Sequence, residues 1–282
     1  MRPLSDLRQD MEVGRSLGDI VDVLKTAALI QFRQFQESKG VNVDFLREAE
    51  SAFVLLGEEA RSHPYAFDRK SLPSAIVVLT SDEGFLGELN TLLIHAAVDM
   101  RQSERDEIIV MGERGARYLE DMNISYSFFP GVSDEARYTE AALIQRYVLR
   151  AYRERVGRVH VIYPEFVSLT AQRVRTEQLL PAPLGAPASP EWEPVLFEPS
   201  IQQAFAALVE AWFGYMLFHM FRSAKLAEFA ARIMHLEGST HELGGMNREL
   251  TQEYFRQMRS LKDKVIREIS ASKMLLEARK SG

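Results

Sequence analysis

The distribution of proline constrains this 282-residue chain more than any other feature: none occurs between Pro3 and Pro64, and none after Pro199. Proline removes a helical N–H and clashes with the preceding turn, so two long terminal segments are free to run as helices. In the first, Leu17, Val21, Leu24, Ala28, Phe32 and Phe35 recur every three or four residues, and Leu4, Leu7 and Met11 continue the stripe upstream. In the last, Leu243, Met246, Leu250, Tyr254, Met258, Leu261, Val265 and Ile269 do the same, with Arg248, Glu249, Lys262 and Arg267 between them. That spacing places the apolar residues on one face. A narrow stripe on a long helix needs a partner helix, and these two stripes fit each other.

The region between them consists of short apolar runs separated by turn residues. Ala75 to Thr80, Glu107 to Met111, Ile124 to Phe129 and Val159 to Tyr163 read as strands, alternating with helical stretches near 88–104, 112–122 and 134–156. This is the pattern of a mostly parallel α/β sheet. Gln172 to Leu180 and Pro194 to Phe197 read as further strands, with an antiparallel edge as one arrangement. Six of the eleven prolines fall in 181–199, which marks an extended connection. The expected organisation is an N-terminal shaft helix over 1–60, an α/β foot domain over 70–180, a proline-rich extended connection over 181–200 and a C-terminal shaft helix over 201–282. An unbroken helix of that last length would extend about 120 Å, giving a rod with a globular foot, and Gly238 and the Gly244-Gly245 pair are its candidate bend points.

Composition excludes several classes. The longest apolar stretch, Ala211 to Phe221, is far shorter than the roughly 20 residues of a bilayer span, so no transmembrane helix is expected. The N-terminus turns acidic at Asp6, Asp10 and Glu12, unlike a secretory signal, and a cytosolic protein is the expectation. The absence of cysteine removes thiol catalysis, Cys-ligated zinc and iron–sulfur chemistry. Residues 201–282 carry 12 Lys/Arg against 9 Asp/Glu in a chain of net charge −6. Those cations are interleaved with Glu249, Glu253, Asp263, Glu268 and Glu277, which is not the continuous basic stripe that follows a phosphate backbone. Nucleic acid is therefore not the expected partner.

No catalytic constellation emerges. Ser81-Asp82-Glu83-Gly84-Phe85-Leu86-Gly87 follows a strand and precedes a helix, where open α/β sheets bind ligands. It lacks both the Gly-x-Gly-x-x-Gly and the Gly-Lys-Ser/Thr patterns that cradle phosphates, so a plain strand-to-helix turn is favoured. Gly112-Glu-Arg-Gly115 reads as a similar connection. The histidines, His63, His95, His160, His219, His235 and His241, are dispersed, and no metal site or nucleophile elbow is present in the pattern. No cofactor, metal or small-molecule substrate is expected.

Four blocks carry a family resemblance: Ile20 to Gln36, Ser81-Asp-Glu-Gly-Phe-Leu-Gly-Glu-Leu-Asn90, Tyr163-Pro-Glu-Phe-Val-Ser168 leading to Glu177-Gln-Leu-Leu-Pro181, and Ala230-Ala-Arg-Ile-Met234 followed by Glu249-Leu-Thr251. In this order the chain resembles the gamma subunit of rotary F-type ATP synthases over nearly its whole length. The resemblance implies a long antiparallel coiled coil of terminal helices with an inserted Rossmann-like, mostly parallel α/β domain. It implies a central-stalk rotor, itself non-catalytic, that couples proton or sodium flow through the membrane c-ring to ATP synthesis or hydrolysis in a ring of alpha and beta subunits. An epsilon subunit would be a further partner, and the complex would lie on the cytoplasmic face of a bacterial plasma membrane. Lys25, Arg33, Gln36, Arg232, Arg256, Gln257 and Arg259 would then be partner-contact residues, and Leu24, Ala28, Leu250, Tyr254, Met258, Leu261 and Val265 the coiled-coil seam.

The C-terminal end departs from the family pattern. Lys262-Asp263-Lys264-Val265 and Ser272-Lys273 stand where the family has Ile-Thr-x-Glu and Gly-Ala. Met258-Arg259 stand at its Arg-Gln pair, although Arg256-Gln257 lie two residues earlier, and Asp22 replaces a usual lysine. A gamma-derived scaffold or adaptor without rotation is the alternative those changes raise, and an enzyme with a site at Ser81 to Gly87 is a second.

Overall fold

The computed structural model describes residues 2–37, 43–56, 58–132, 137–184, 198 and 200–280. Helix α1 spans Leu4–Glu37, α2 spans Val43–Leu56, and a short 3-10 turn covers Glu58–Ser62. Then come β1 (Ser74–Leu79), α3 (Leu89–Met100), β2 (Glu107–Met111), α4 (Glu113–Asp121), β3 (Tyr126–Phe129), α5 (Arg137–Glu154), β4 (Arg158–Ser168) and β5 (Ala171–Leu180). Helix α6 runs unbroken for 80 residues, Ile201–Lys280, straight through Gly238, Gly244 and Gly245. The sequence pattern for a strand at Pro194 to Phe197 lies outside the described residues.

The chain divides into two compact units: residues 1–28 with 235–282, and residues 29–234. The boundaries fall inside α1 and α6, not at their ends. The expected N-terminal shaft helix over 1–60 is two helices, and α2 belongs to the second unit, where Ala49, Phe53 and Leu56 enter its core.

In the first unit α1 and α6 pack antiparallel. Lys25 meets Glu237, Asp22 meets Thr240, and Gly14 lies against Asn247, so residue numbers fall on one helix as they rise on the other. Leu7, Ala28 and Leu236 are buried, while Leu4, Met11, Val21, Leu243, Leu250, Tyr254 and Met258 are half-buried. This is the narrow seam that the three- and four-residue spacing demands. By the same register the start of α1 at Leu4 stands near Met258, and every residue over 259–273 of α6 is exposed.

The second unit is a five-stranded sheet in the order β3-β2-β1-β4-β5. The first four strands are parallel, and β5 returns antiparallel on β4. Successive residues of β1 alternate faces. Ala75, Val77 and Leu79 face a core shared with α2, α5 and the first third of α6, through Phe53, Ile144, Val148, Tyr152, Phe205, Phe213 and Phe221. Ile76 and Val78 face α3 and α4 through Leu93, Ile94, Ala97 and Leu119. Strand β3 starts two residues later than its apolar run because Asn123 adopts φ 55 and the Ile124 N–H closes on the Leu119 carbonyl, ending α4. Helix α1 ends where the Arg222 guanidinium donates to the carbonyls of Phe35 and Gln36.

Helix α6 includes an 18-residue window of mean hydropathy 1.4, long and apolar enough to span a bilayer by composition. The apolar-rich stretch Ala211 to Phe221 is shorter than this window, which admits polar residues. Phe205, Val209, Trp212, Phe213, Leu217, Met220 and Phe221 of this helix are buried in the α/β core.

Candidate functional site

The residues singled out by the sequence fall in two places: the carboxyl end of the sheet, and helices α1 and α6. At the first, the strand order reverses between β1 and β4, the position where open α/β sheets open a ligand crevice. On the other side of β1, the loops after β1, β2 and β3 are closed by bonds within the chain. The Asp82 carboxylate accepts the Glu113 N–H at 2.9 Å and the Gly131 N–H at 3.1 Å. The Arg114 N–H donates to the Ser81 carbonyl, and the Gly115 N–H to Thr80 Oγ1 at 3.2 Å. The amides that open α4, which elsewhere bind phosphate, are thus all occupied from within. Gly112 makes this approach possible: at φ 101 it lies where an added Cβ would come 2.6 Å from the Thr80 carbonyl oxygen.

Behind the turn, Ser81 and Asn90 bond reciprocally, the Ser81 N–H to Asn90 Oδ1 at 3.2 Å and Asn90 Nδ2 to Ser81 Oγ at 2.9 Å. The cavity beside them, bordered by Lys225 and Glu228, measures about 20 Å³, room for one water and far below a nucleotide site of at least ~300 Å³. Among the described residues no cluster of His, Cys, Asp or Glu is arranged to hold a metal ion. The arrangement gives no support to an enzyme site at Ser81 to Gly87.

Glu228 and Arg232, which the sequence pattern does not pair, form the most buried ion pair among the described residues. Arg232 is 6% exposed and Glu228 8%. Arg232 Nη2 lies 2.7 Å from Glu228 Oε1 and 2.8 Å from Glu83 Oε2, and Arg232 Nε donates to the Gly84 carbonyl at 3.4 Å. Lys225 Nζ reaches the other Glu228 oxygen at 3.3 Å. Burial pushes the Glu228 carboxyl up, while Lys225 and Arg232 pull it down. The legible signal was the four-residue spacing of Glu228 and Arg232 within a run of apolar residues.

The remaining contact candidates divide by environment. Lys25 bridges Asp22 at 3.1 Å and Glu237 at 3.0 Å, and those bonds, Glu237 first, hold its ammonium above the ordinary lysine range. Gln257 Nε2 donates to Glu253, and Arg232 is turned inward as described. Arg33, Gln36, Arg256 and Arg259 are exposed. Of the seam candidates, Ala28 is buried, Leu250, Tyr254 and Met258 are half-buried, and Leu24 is 38% exposed. Leu261 and Val265 are 50% and 51% exposed, because by the register of the seam they lie past the start of α1 and have no facing helix among the described residues. The apolar period of α6 therefore continues beyond the partner that the sequence assigned to it.

A family model described as ATP synthase matches residues 3–271. The chain belongs to the ATP synthase gamma family. Among gamma-family relatives, the ATP synthase gamma chain of Desulforamulus reducens is 26% identical over 98% of this chain and 100% of its own length. That of Pelotomaculum thermopropionicum is 25% identical over the same shares of both chains. The fold matches a chain of the Euglena gracilis mitochondrial ATP synthase, OSCP/F1/c-ring, with a TM-score of 0.72 at 14% identity, covering 99% of this chain and 96% of that one. A second match, in the rotor of the same synthase, has a TM-score of 0.64 at 16% identity, covering 92% and 98%. The gamma family thus accounts for both units, and for helices α1 and α6 framing an α/β domain.

Proposed function

We propose that this chain is the central-stalk rotor of an ATP synthase, joining ion flow through a membrane c-ring to ATP synthesis or hydrolysis in an alpha–beta ring. The observation that carries the reading is the antiparallel packing of α1 on α6 by two chain segments that flank a domain whose loops after β1, β2 and β3 are closed by bonds within the chain. A ring with three-fold symmetry cannot hold its sites in different states without an asymmetric element on its axis. A two-helix shaft is such an element. Each of its faces meets a site differently, and that difference in contact energy shifts the site's equilibrium between empty, ADP-bound and ATP-bound forms. The chemistry then resides in the ring, and this chain supplies stiffness and surface pattern.

Arg33, Gln36, Arg256 and Arg259, exposed on α1 and α6, are the residues we place against acidic loops of the ring, and Leu261 and Val265 are apolar contacts to it. Lys25 and Gln257 act on that surface through their intrachain partners. The complex lies against the cytoplasmic face of a bacterial membrane, with epsilon as a further partner of the α/β domain.

Purification of the chain from its own cells in mild detergent, followed by native mass spectrometry, tests this reading. One copy per three alpha and three beta subunits, with epsilon and c-ring subunits present, is the expected result. A chain recovered folded but alone would favour the adaptor reading raised by the altered C-terminal end.

A further inference from the structure

Helix α6 passes the turn between β1 and α3 with Ala224, Ala227, Ala230 and Ala231 buried beside Leu226, Phe229 and Ile233. Helices keep their rotational register by fitting ridges of side chains into grooves. A polar group adds directional bonds to this apolar contact. Arg232 reaches Glu228 on its own helix, and Glu83 and the Gly84 carbonyl on the turn between β1 and α3. Lys225 and Arg232 also lie 5.2 and 5.9 Å from the Phe229 ring, which meets Phe35 edge-on at 5.9 Å.

The turn that receives Arg232 is itself rooted. Ser81 binds Asn90 of α3, and Asp82 binds the start of α4 and the loop after β3. Phe85 at φ 64 and Gly87 at φ 57 hold it in a left-handed conformation that a non-glycine residue keeps only when its surroundings enforce it. Directional, charge-assisted bonds from α6 therefore lead through this turn into α3, α4 and the loop after β3.

We propose that Arg232, Glu228 and the Glu83-Gly84 turn form a torsional clamp that locks the part of α6 within this unit to the α/β domain. The clamp rests on the rotor reading above. Arg232 is a positioning residue in it, and its bonds lie within one turn of Met234, where α6 leaves this unit. Buried ion pairs contribute little net stability yet specify geometry, which is the property a torque joint needs.

The test uses the intact complex with its alpha–beta ring fixed to a surface and nucleotide absent. The chain has no cysteine, so His95→Cys, on the exposed face of α3, takes a bead at one site. The angular variance of that bead reads the torsional stiffness of the joint. Arg232→Met, and Glu228→Gln with Arg232→Met, which leaves no unpaired buried carboxylate, are both expected to raise the variance about two-fold or more, and Arg232→Lys to fall between them and the parent because a lysine replaces a fork by a point charge. Variance equal to the parent's in both Met variants, with only the thermal midpoint lowered, would reduce the group to an ordinary packing element and overturn the clamp. A parent chain that never joins a ring would overturn the clamp together with the rotor reading, which separates the two failures.

Discussion

The Asp82 carboxylate lies 2.9 Å from the backbone N–H of Glu113, the first residue of α4. A side chain of the protein thus takes the position that a phosphate takes in nucleotide-binding relatives of this architecture. It also joins three loops at the carboxyl end of the sheet, because Gly131 donates to the same carboxylate. Asp82→Ala is expected to lower the stability of the chain by about 1–2 kcal/mol, the usual effect of losing a helix N-terminal acceptor. Asp82→Asn, which keeps one acceptor oxygen, should cost about half as much. Urea unfolding of the full chain measures both, and an alanine variant as stable as the parent would mean that the carboxylate does not hold the loops.

Glycines in this chain answer to different constraints. Gly112 is held at φ 101 against the Thr80 carbonyl, so Gly112→Ala should destabilise by about 1–3 kcal/mol. Gly238 and Gly244 sit in α6 with nothing within 4 Å of an added Cβ. Alanine at either should raise stability by up to ~1 kcal/mol through helix propensity. Thermal unfolding that moved in the same direction for both classes would contradict this division.

Apolar residues on α6 separate in the same way. Leu236 is 1% exposed, and Leu236→Ala should cost about 2–5 kcal/mol. Leu261 and Val265 are half exposed, so their alanine variants should change the stability of the chain by less than about 0.5 kcal/mol. In the assembled complex the same two variants should weaken retention of the chain, if these residues touch the ring. Loss of stability in the isolated chain with normal retention would assign them to the seam after all.

Three histidines make stability depend on pH. Burial lowers the pKa of His63, His160 and His219 below the ordinary value of 6.5, with nearby Arg153 adding to the effect at His63 and Arg158 at His160. The unfolded chain therefore takes up protons first as pH falls. The stability from these neutral rings is complete above pH 6.5 and declines as the pH drops through their lowered values. Urea midpoints measured between about pH 7.5 and pH 5.5 should fall with pH, and His160→Gln should flatten that slope. A flat profile in the parent would remove the buried histidines as its cause.

The α/β domain was largely legible because β1, β2 and the start of β4 are apolar runs bounded by turn residues, and burial on both faces requires such runs. The two terminal helices were legible from spacing, but not their boundaries. The separation of α2 from α1 has no proline to announce it, and the antiparallel register is a tertiary property set by contacts such as Lys25 to Glu237. Individual site residues were the least legible. Arg232 reads as a surface cation from its type, and only the fold shows that Glu228 and the Glu83-Gly84 turn surround it. The self-capping by Asp82 joins residues 31 apart in sequence, beyond the reach of any local pattern. Leu261 and Val265 continue a periodic stripe, yet the contacts that leave them half exposed are set by the tertiary register and not by that stripe.

The rotor account meets its most direct test in observation of rotation. With the alpha–beta ring fixed and a bead on a cysteine at position 95, addition of ATP should turn the bead in one direction, pausing at three-fold related angles. A bead that keeps one angle while the ring hydrolyses ATP, with the chain still bound, would contradict the account.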